Sequence, residues 1–339
     1  MAKKFSESYH RLSNLMVGAK VAIALRTVTG LGIADELADG PKTATQLAEK
    51  LGLSEDPLRR VLRALTQFGV FTETTEGEFQ NSELSEYLRE DSDPSLRNSI
   101  LFLNDDVSLQ SWLRLGDTLK DGQSRFQEVN GGPLFSLFGT NKPLGDHFAK
   151  CMRELYGTEA GKIAQGFDFK SFGNVIDVGG VQGHVLAAIL LKNPDLTGTL
   201  FDIKPTAELA REFLASIGLA ERTDVVGGDF FENVPGGFDA YLVKSVIHDW
   251  NDQKAIEILQ QCKRAMADDS RLLIVEEVVV PGQSVGNPNR LVDLDLMIHL
   301  GGKERTEEEY RALLAEGGLT VEDMVPIADS FFSVIVCSR

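Results

Sequence analysis

The spacing of the apolar residues predicts a mainly helical domain over residues 1–93. Two short runs at 70–74 and 78–80 alternate like strands and flank Gly77, as the two arms of a hairpin would. Ahead of them, apolar residues recur at helical spacing and predict one buried helix face, formed by Leu58, Val61, Leu62, Leu65 and Phe68. The order helix, helix, hairpin predicts a winged-helix-like domain.

Residues 94–167 carry a long, irregular and mainly helical pattern that predicts a connector. A loop is expected at Gly131, Gly132 and Pro133, because glycine and proline interrupt regular structure. The aromatic residues of this connector are typical of a segment that lines a pocket, and an ordinary core accounts for most of them equally well. They are Phe102, Trp112, Phe126, Phe135, Phe138, Phe148 and Tyr156.

From residue 168 to residue 339 the pattern changes to alternating strands and helices, which predicts an open, doubly wound α/β domain. The last two strands follow each other without a helix, so the sheet is not expected to be purely parallel. The candidate strands cover residues 174–178, 198–203, 223–227, 240–246, 271–280, 319–326 and 331–338. Between the strands at 271–280 and 319–326, Thr306 and Glu309 have the spacing of a capping box at the start of a helix. Gly317 is placed to end that helix.

Composition fits a folded, acidic protein. The chain has 339 residues, of which 42% are hydrophobic and 25% charged, with a formal net charge of -17. Affinity for nucleic acid rests largely on Lys and Arg, so strong binding to DNA or RNA is not expected. The acidity itself names no partner.

A DNA-binding role for the N-terminal domain is the less favoured alternative. Three arginines on the predicted recognition helix support it, namely Arg59, Arg60 and Arg63. Three acids in the predicted wing oppose it, namely Glu73, Glu76 and Glu78, because a wing that contacts phosphates needs cations. Dimerisation is therefore the favoured use of this domain.

Cysteine usage and hydropathy predict a cytoplasmic protein without a membrane segment. Cys151, Cys262 and Cys337 are widely spaced and form neither a disulfide framework nor a zinc motif, so no metal is expected. The start, MAKKFSESYHRL, lacks an apolar h-region. No window approaches the roughly 18 uninterrupted apolar residues of a transmembrane helix.

Glycines mark the first candidate binding site. Gly179, Gly180 and Gly183 directly follow an apolar strand and open a helix, where bare backbone can approach a ligand. A tight turn without a ligand explains these glycines equally well on their own. Asp202, however, ends the second strand 23 residues after Gly179, where a carboxylate can accept both hydroxyls of a ribose.

A third strand end strengthens the hypothesis of a nucleoside-containing cofactor. Asp229 ends the third strand and is followed by Phe230, and an acid beside an aromatic ring suits adenine. Three successive strand ends with suitable groups are harder to explain by chance than one glycine turn. A dinucleotide is disfavoured, since the chain has Gly-Gly-x-x-Gly where the dinucleotide fingerprint is G-x-G-x-x-G.

His248 is the candidate general base, because it follows the fourth strand at the same expected sheet edge. An imidazole of ordinary pKa can accept a proton at physiological pH. A lone histidine at a strand end is more often structural, but its neighbourhood with the cofactor acids favours the functional interpretation. Either Glu276 or Glu277, together with Glu304, could orient the imidazole, and a surface position is the alternative for each acid.

The runs that carry these residues resemble one enzyme family. VIDVGGVQGH, LFDI, VGGDFFENVPGG, YLVKSVIHDWND and LGGKERTEEEYRALL are together similar to class I plant and microbial O-methyltransferases related to the caffeate and hydroxyneurosporene enzymes, over nearly the whole chain. The resemblance implies a Rossmann-like, seven-stranded methyltransferase domain preceded by a mainly helical winged-helix dimerisation domain, and hence a homodimer. It implies S-adenosyl-L-methionine as cofactor and a hydroxyl of a small aromatic, phenolic or polyketide-like molecule as acceptor.

The resemblance also implies roles for individual residues. The implied cofactor contacts are Gly179, Gly180, Gly183, Asp202, Asp229, Phe230 and Lys244. The implied general base is His248, oriented by Glu276 and Glu304, with Glu277 as a rival because VEEVVVP carries an extra residue before Pro281. The implied pocket residues are Phe148, Met152, Asp249 and His299.

The resemblance leaves one departure and two alternatives. Val181 stands where the family commonly has a third consecutive glycine, which narrows the approach to the turn. One alternative is a family member that retains the cofactor and catalyses a reaction other than methylation. The other is a winged-helix regulator that binds DNA and senses a nucleoside.

Overall fold

The computed structural model describes residues 6–282 and 289–339 and divides the chain into two compact units. The first unit takes the chain up to Leu113 together with Gly132–Gly157. The second takes Arg114–Gly131 together with Thr158–Arg339. The N-terminal segment, in which the sequence predicts no leader peptide, falls partly on residues 1–5, outside the described residues.

The helices of the described residues are, in chain order, α1 (Glu7–Gly30), α2 (Ile33–Glu36), α3 (Ala44–Leu51), α4 (Glu55–Thr66), α5 (Glu83–Glu86), α6 (Arg97–Leu103), α7 (Asp106–Trp112), α8 (Leu115–Asp121), α9 (Phe126–Asn130), α10 (Leu134–Thr140), α11 (Lys142–Tyr156), α12 (Glu159–Gly166), α13 (His184–Lys192), α14 (Lys204–Ser216), α15 (Asp252–Ala265), α16 (Asn289–His299) and α17 (Glu307–Glu316). Short 3-10 turns cover Ala220–Arg222 and Ile247–Asp249. None of these helices combines the length and the apolar run that crossing a bilayer requires.

The strands of the described residues are β1 (Lys42–Thr43), β2 (Phe71–Glu73), β3 (Glu78–Asn81), β4 (Asn174–Val178), β5 (Thr197–Asp202), β6 (Thr223–Gly227), β7 (Ala240–Lys244), β8 (Arg271–Val279), β9 (Arg305–Thr306), β10 (Thr320–Pro326) and β11 (Phe332–Ser338). They form a small sheet in the first unit and a large sheet in the second.

The first unit contains the predicted order of helix, helix and hairpin. On α4, Leu58, Leu62 and Leu65 are buried, as their spacing predicts. Phe68 lies beyond the helix end but packs against the same core. The hairpin of β2 and β3 gains a third strand that the sequence pattern did not indicate, because β1 pairs antiparallel with β3.

The second unit is a mixed α/β sheet that confirms all the predicted strands to within a few residues. Strands β6, β5, β4, β7 and β8 are parallel neighbours in that order, and β11 then pairs antiparallel with both β8 and β10. The inner strands are buried on both faces, which explains their continuous apolar runs. The sequence missed β9, which pairs with the carboxyl end of β8.

The strand order reverses between β4 and β7, and this reversal defines where a ligand can bind. From β4 the chain proceeds outward through β5 and β6, then returns to the other side of β4 with β7 and β8. In open α/β sheets the crevice at the carboxyl ends beside such a switch point is the usual ligand site.

The capping box before α17 and the glycine predicted to end that helix are both confirmed. Thr306 and Glu309 exchange both expected hydrogen bonds. The helix ends at Glu316 with Gly317 as its C-cap at a helical φ of -68°, and the left-handed conformation follows at Gly318 with φ 77°. A glycine directly after the cap is the usual way for a helix to end.

Candidate active site

The glycine turn after β4 is closed by an acid from the next strand. Gly179 and Gly183 have left-handed φ values of 76° and 79°. Between them, the backbone amide of Val181 donates to Asp202 Oδ2 at 2.9 Å. A Cβ on Gly180 would overlap the Asp177 carboxylate, so that position requires glycine for close packing.

Asp202 lies at the end of β5, as predicted. Its other oxygen, Oδ1, accepts the backbone N–H of Ile203 at 2.7 Å. Burial raises the pKa of Asp202, and the two backbone hydrogen bonds partly oppose that shift. Each carboxylate oxygen has a second lone pair, so both can still accept a hydrogen bond from a ligand hydroxyl.

Asp177, beneath the turn, is a site residue that the sequence reasoning did not single out. It is buried, and its Oδ2 accepts no hydrogen bond within the described residues. Burial, then the nearby Asp202 carboxylate, raise the pKa of Asp177 to about 7, against the effect of the Lys244 ammonium. A buried carboxyl oxygen without a hydrogen-bond donor is suited to receiving a polar or cationic ligand group.

An aromatic corner follows the third strand of the parallel set. Asp229 is exposed and accepts the backbone N–H of Phe231 at 2.8 Å. Phe230, half-buried, lies with its ring centre 5.0 Å from that of Phe231 and 6.4 Å from that of Trp250. Trp250, perpendicular to both phenylalanines, was not predicted as part of this corner.

Lys244 ends β7, at the same edge of the sheet. Its ammonium lies 4.5 Å above the ring of Phe332. Burial lowers the pKa of Lys244, while the carboxylates of Glu276 and Asp177 oppose that shift. The parallel strands thus bring the predicted cofactor residues to one edge of the sheet.

His248 lies at this edge in a 3-10 turn, surrounded by acids. Its Nδ1 is 2.8 Å from Glu304 Oε1 and 3.4 Å from Glu276 Oε2. Its Nε2 is 3.5 Å from Asp249 Oδ1. The structure therefore brings the predicted base and both predicted orienting acids together.

Glu276 and Glu304 contact the histidine loop, which is residues 245–251 between β7 and α15, in different ways. Glu276 Oε1 accepts the backbone N–H groups of Val246 at 3.0 Å, Ile247 at 2.9 Å and His248 at 3.4 Å. Glu304 instead contacts the imidazole directly. Glu276 consequently holds the backbone of the loop, and Glu304 orients the ring.

The structure distinguishes Glu276 from its rival Glu277. Successive side chains of a strand point to opposite faces, so only one of two adjacent glutamates can reach the loop. Glu276 does so, whereas Glu277 Oε1 lies 3.9 Å from the Arg290 guanidinium.

The charge state of His248 differs from the ordinary one assumed from the sequence. Burial alone lowers the pKa of the imidazole, but the Glu276 carboxylate, the hydrogen bond to Glu304 and the charge of Asp249 outweigh burial and raise it to about 10. Burial raises the pKa of Asp249 to about 7, against the effect of His248. His248 is thus an imidazolium at neutral pH.

Predicted pocket residues occur in both units. In the second unit, His299 ends α16, with its ring edge-on to Phe126 at 5.6 Å. In the first unit, Phe148 and Met152 lie one turn apart on α11 and are half-buried. Phe148 stacks on Phe138 with ring centres 4.5 Å apart.

Three groups of the histidine cluster have the composition of a metal site, although the sequence predicted none. His248, Glu276 and Glu304 each offer one ligand atom, and these atoms lie within 4.8 Å of one another. In this structure Nδ1 and Glu304 Oε1 are at hydrogen-bond distance, so a shared proton accounts for their approach.

The fold and this sheet edge define a methyltransferase, and the comparisons identify its family. The chain matches the model of an O-methyltransferase domain over residues 112–320 and that of an O-methyltransferase dimerisation domain over residues 13–91. It therefore belongs to the O-methyltransferase family, and its cofactor is S-adenosylmethionine, as predicted.

Individual relatives are similar over most of their length. The chain is 36% identical over 316 residues to the mitomycin biosynthesis 6-O-methyltransferase of Streptomyces lavendulae, covering 93% of this chain and 90% of that protein. It is 33% identical over 308 residues to the aclacinomycin 10-hydroxylase of Streptomyces purpurascens, covering 88% and 81%. It is 31% identical, with a TM-score of 0.83 and coverage of 94% and 95%, to an O-methyltransferase from neocarzinostatin biosynthesis solved with S-adenosylmethionine and 2-hydroxy-5-methyl naphthoic acid.

Replacing Gly302 with alanine should damage the histidine loop. A Cβ there would overlap the carbonyl oxygen of His248, so we expect Gly302→Ala to lower the free energy of unfolding by about 1–3 kcal/mol. Thermal unfolding measures the effect. Gly116→Ala is the control, because a Cβ at Gly116 on α8 meets open space. A Gly302→Ala protein as stable as the Gly116→Ala protein would contradict the close contact.

Proposed function

We propose that this enzyme transfers a methyl group from S-adenosylmethionine to a hydroxyl of a small aromatic acceptor, phenolic or polyketide-like, with His248 as general base. The observation that carries the proposal is the 2.8 Å contact between His248 Nδ1 and Glu304 Oε1 at the sheet edge that also carries Asp202 and Lys244. If Nδ1–H donates to Glu304, Nε2 is the nitrogen left to receive a proton from the acceptor.

The acceptor needs a base because a phenol is a poor nucleophile. With a pKa near 10, only about one phenol in a thousand is ionised at pH 7. S-adenosylmethionine supplies a methyl group made electrophilic by the positive charge on its sulfur. His248 is assigned the proton of the acceptor hydroxyl, and the protein's larger task is to align the acceptor oxygen with that methyl group.

The raised pKa of His248 means that the imidazole and the acceptor together must lose one proton before methyl transfer. At about 10 it matches the pKa of a phenol, so the proton moves between two groups of nearly equal affinity. Because the imidazole is already protonated at pH 7, the acceptor reaches the reactive state as a phenolate beside an imidazolium. That state holds the same number of protons as a neutral phenol beside a neutral imidazole.

The residues around the glycine turn fit the cofactor. Asp202 keeps lone pairs for ribose hydroxyls, and Asp229 with Phe230 offers an acid and a ring for adenine. Gly179, Gly180 and Gly183 leave the backbone bare for the methionyl part, and Asp177 offers an unpaired buried oxygen below it. Lys244 is assigned to the cofactor as well.

The acceptor pocket and the domain limits are proposed from the family resemblance. We assign Phe148, Met152, Asp249 and His299 to the acceptor. Residues 1–93 are taken as the winged-helix dimerisation domain, 94–167 as the connector and 168–339 as the catalytic domain. A cytoplasmic location agrees with the three free, buried cysteines.

A non-methylating reaction is the second candidate, because the chain is similar to a 10-hydroxylase as well as to O-methyltransferases. Mass analysis of the product separates the two. Transfer of a methyl group adds about 14 Da, whereas hydroxylation adds about 16 Da.

DNA binding receives little support. Arg59, Arg60 and Arg63 each pair with an acid of the first unit, namely Glu55, Asp56 and Glu73. These arginines are less available to phosphates as a result.

Removing the ribose acid should weaken cofactor binding. We expect micromolar binding of S-adenosylhomocysteine in calorimetry, and a loss of at least ~10-fold in Asp202→Ala, because one charged hydrogen-bond partner contributes about 1.5–3 kcal/mol. Asp224→Ala is the control, since Asp224 is an exposed acid on β6. Equal affinity in both variants would move the ribose site elsewhere.

Replacing His248 should slow turnover strongly without changing cofactor affinity. We expect His248→Gln to lower kcat by about 100- to 10,000-fold, the usual contribution of a general base. The wild-type rate should rise with pH toward about 10, since one proton must leave the imidazole and acceptor together. His184→Gln, at an exposed histidine, is the control. Wild-type turnover in His248→Gln would reject the base.

The same variant tests the raised pKa through stability. The folded-state pKa of about 10 exceeds the ordinary 6.5, so the stabilisation is present below pH ~6.5 and is lost as pH rises through 10. Denaturation of His248→Gln should show a smaller decline over that interval than the wild type.

Helix α1 should form part of a homodimer interface. One stripe of its surface is apolar and half to three-quarters exposed, comprising Tyr9, Leu12, Leu15, Met16 and Ile23. We expect Leu15→Glu with Met16→Glu to convert the dimer into a monomer in sedimentation analysis, because buried unpaired charges are costly. Leu119→Glu, equally exposed on α8, is the control. A monomeric wild type would refute the homodimer.

A further inference from the structure

Arg305 is a fully buried cation next to the histidine loop, and every one of its donors has a partner. Its Nε and Nη2 donate to Asp252 Oδ1 at 3.1 and 2.8 Å. Nη1 donates to the carbonyls of Ile247 at 3.2 Å and Lys303 at 3.3 Å, and Nη2 also donates to that of Trp250 at 2.9 Å. A guanidinium has five N–H donors, so all are used.

The residues that offer these carbonyls are neighbours of the proton-transfer residues in the chain. Ile247 directly precedes His248, and Lys303 directly precedes Glu304. The histidine loop is also joined directly to the loop that carries Glu304, because the Lys303 N–H donates to the His248 carbonyl at 2.9 Å. Arg305 touches neither the imidazole nor the Glu304 carboxylate through a hydrogen bond, yet it binds the backbone on both sides of their contact.

Stability alone is a poor explanation for this arginine. Burying a cation costs free energy that neutral carbonyls and one half-exposed carboxylate, Asp252, recover only in part, and well-packed apolar replacements are often at least as stable. An apolar residue cannot supply a planar guanidinium, whose N–H groups bind carbonyls of the His248 loop and the Glu304 loop at fixed angles.

We propose that Arg305 is a positioning residue for proton transfer, which sets the separation of His248 Nδ1 and Glu304 Oε1 by fixing the backbone of both loops. For its effect on turnover the inference rests on the proposed function. For its effect on the histidine itself it rests on geometry alone.

Arg222 provides a matched control. Its guanidinium also binds backbone carbonyls, those of Leu190, Asn193, Pro194 and Leu196. It precedes β6 and binds the loop before β5, so it lies at the amino edge of the sheet, opposite the histidine loop. Loss of Arg222 tests what a similar arginine does for the fold.

The first experiment follows the His248 imidazole by NMR, with 15N-labelled histidine and His248→Gln to identify its signal. The charged groups that act on this ring are Glu276, Glu304 and Asp249, and none is altered in the variant. Lysine has one ammonium in place of the planar guanidinium, so Arg305→Lys should loosen the contact between His248 and Glu304. We expect the titration midpoint of His248 to fall by at least ~1 pH unit, and to stay at the wild-type value in Arg222→Lys.

The second experiment measures kinetics with an acceptor found by screening phenols. Arg305→Lys should lower kcat by about 10- to 100-fold, as expected for a misplaced base, with S-adenosylhomocysteine affinity within about threefold of wild type. Arg222→Lys should keep kcat. If Arg305→Lys does not fold, Asp252→Asn is the alternative, because it weakens the Arg305–Asp252 pair by a change at an exposed residue. It should also lower the titration midpoint of His248 and kcat.

An unchanged midpoint in the folded Arg305→Lys or Asp252→Asn protein would overturn the inference, as would an equal shift in Arg222→Lys. The midpoint is measured without acceptor or turnover, so an unchanged midpoint can be distinguished from failure of the proposed reaction. Failure of the reaction would appear as absent methylation by the wild type.

Discussion

The sheet edge around His248 depends on three consecutive amides that converge on one buried carboxylate oxygen. Val246, Ile247 and His248 all donate to Glu276 Oε1, and the turn that aims them begins at Ser245, which has a left-handed φ of 51°. Successive amides in such a turn form an anion-binding concavity. Because the other oxygen of Glu276 lies 3.4 Å from His248 Nδ1, one side chain fixes the path of the loop and supplies charge to its imidazole.

Geometry and electrostatics are therefore coupled at this site. An acid is needed to hold the loop, and the loop then places a histidine beside that acid and beside Glu304. The imidazole consequently binds its proton far more tightly than a histidine in water does. The resting site is therefore protonated at neutral pH.

Periodicity allowed the strands and their ends to be predicted, whereas contacts between distant segments could not be read from the sequence. Apolar runs located the strands, and strand ends located Asp202 and His248, because parallel strands share one edge. The choice between Glu276 and Glu277 depends on which face of β8 each occupies, which the apolar pattern of a strand buried on both faces does not reveal. Arg305 and Gly302 were missed because each contacts residues that lie more than 50 positions earlier in the chain.

Val181 shows how much variation a glycine motif tolerates. Its left-handed φ of 52° costs a β-branched residue about 1–2 kcal/mol, and glycine in its place would lose more conformational entropy on folding, roughly 0.5–1 kcal/mol. The difference of about 1 kcal/mol is small beside the roughly 5–15 kcal/mol that stabilise a typical domain. Since the amide of Val181 still reaches Asp202, the essential element of this turn is its backbone path, and a run of consecutive glycines is one of several sequences that can encode it.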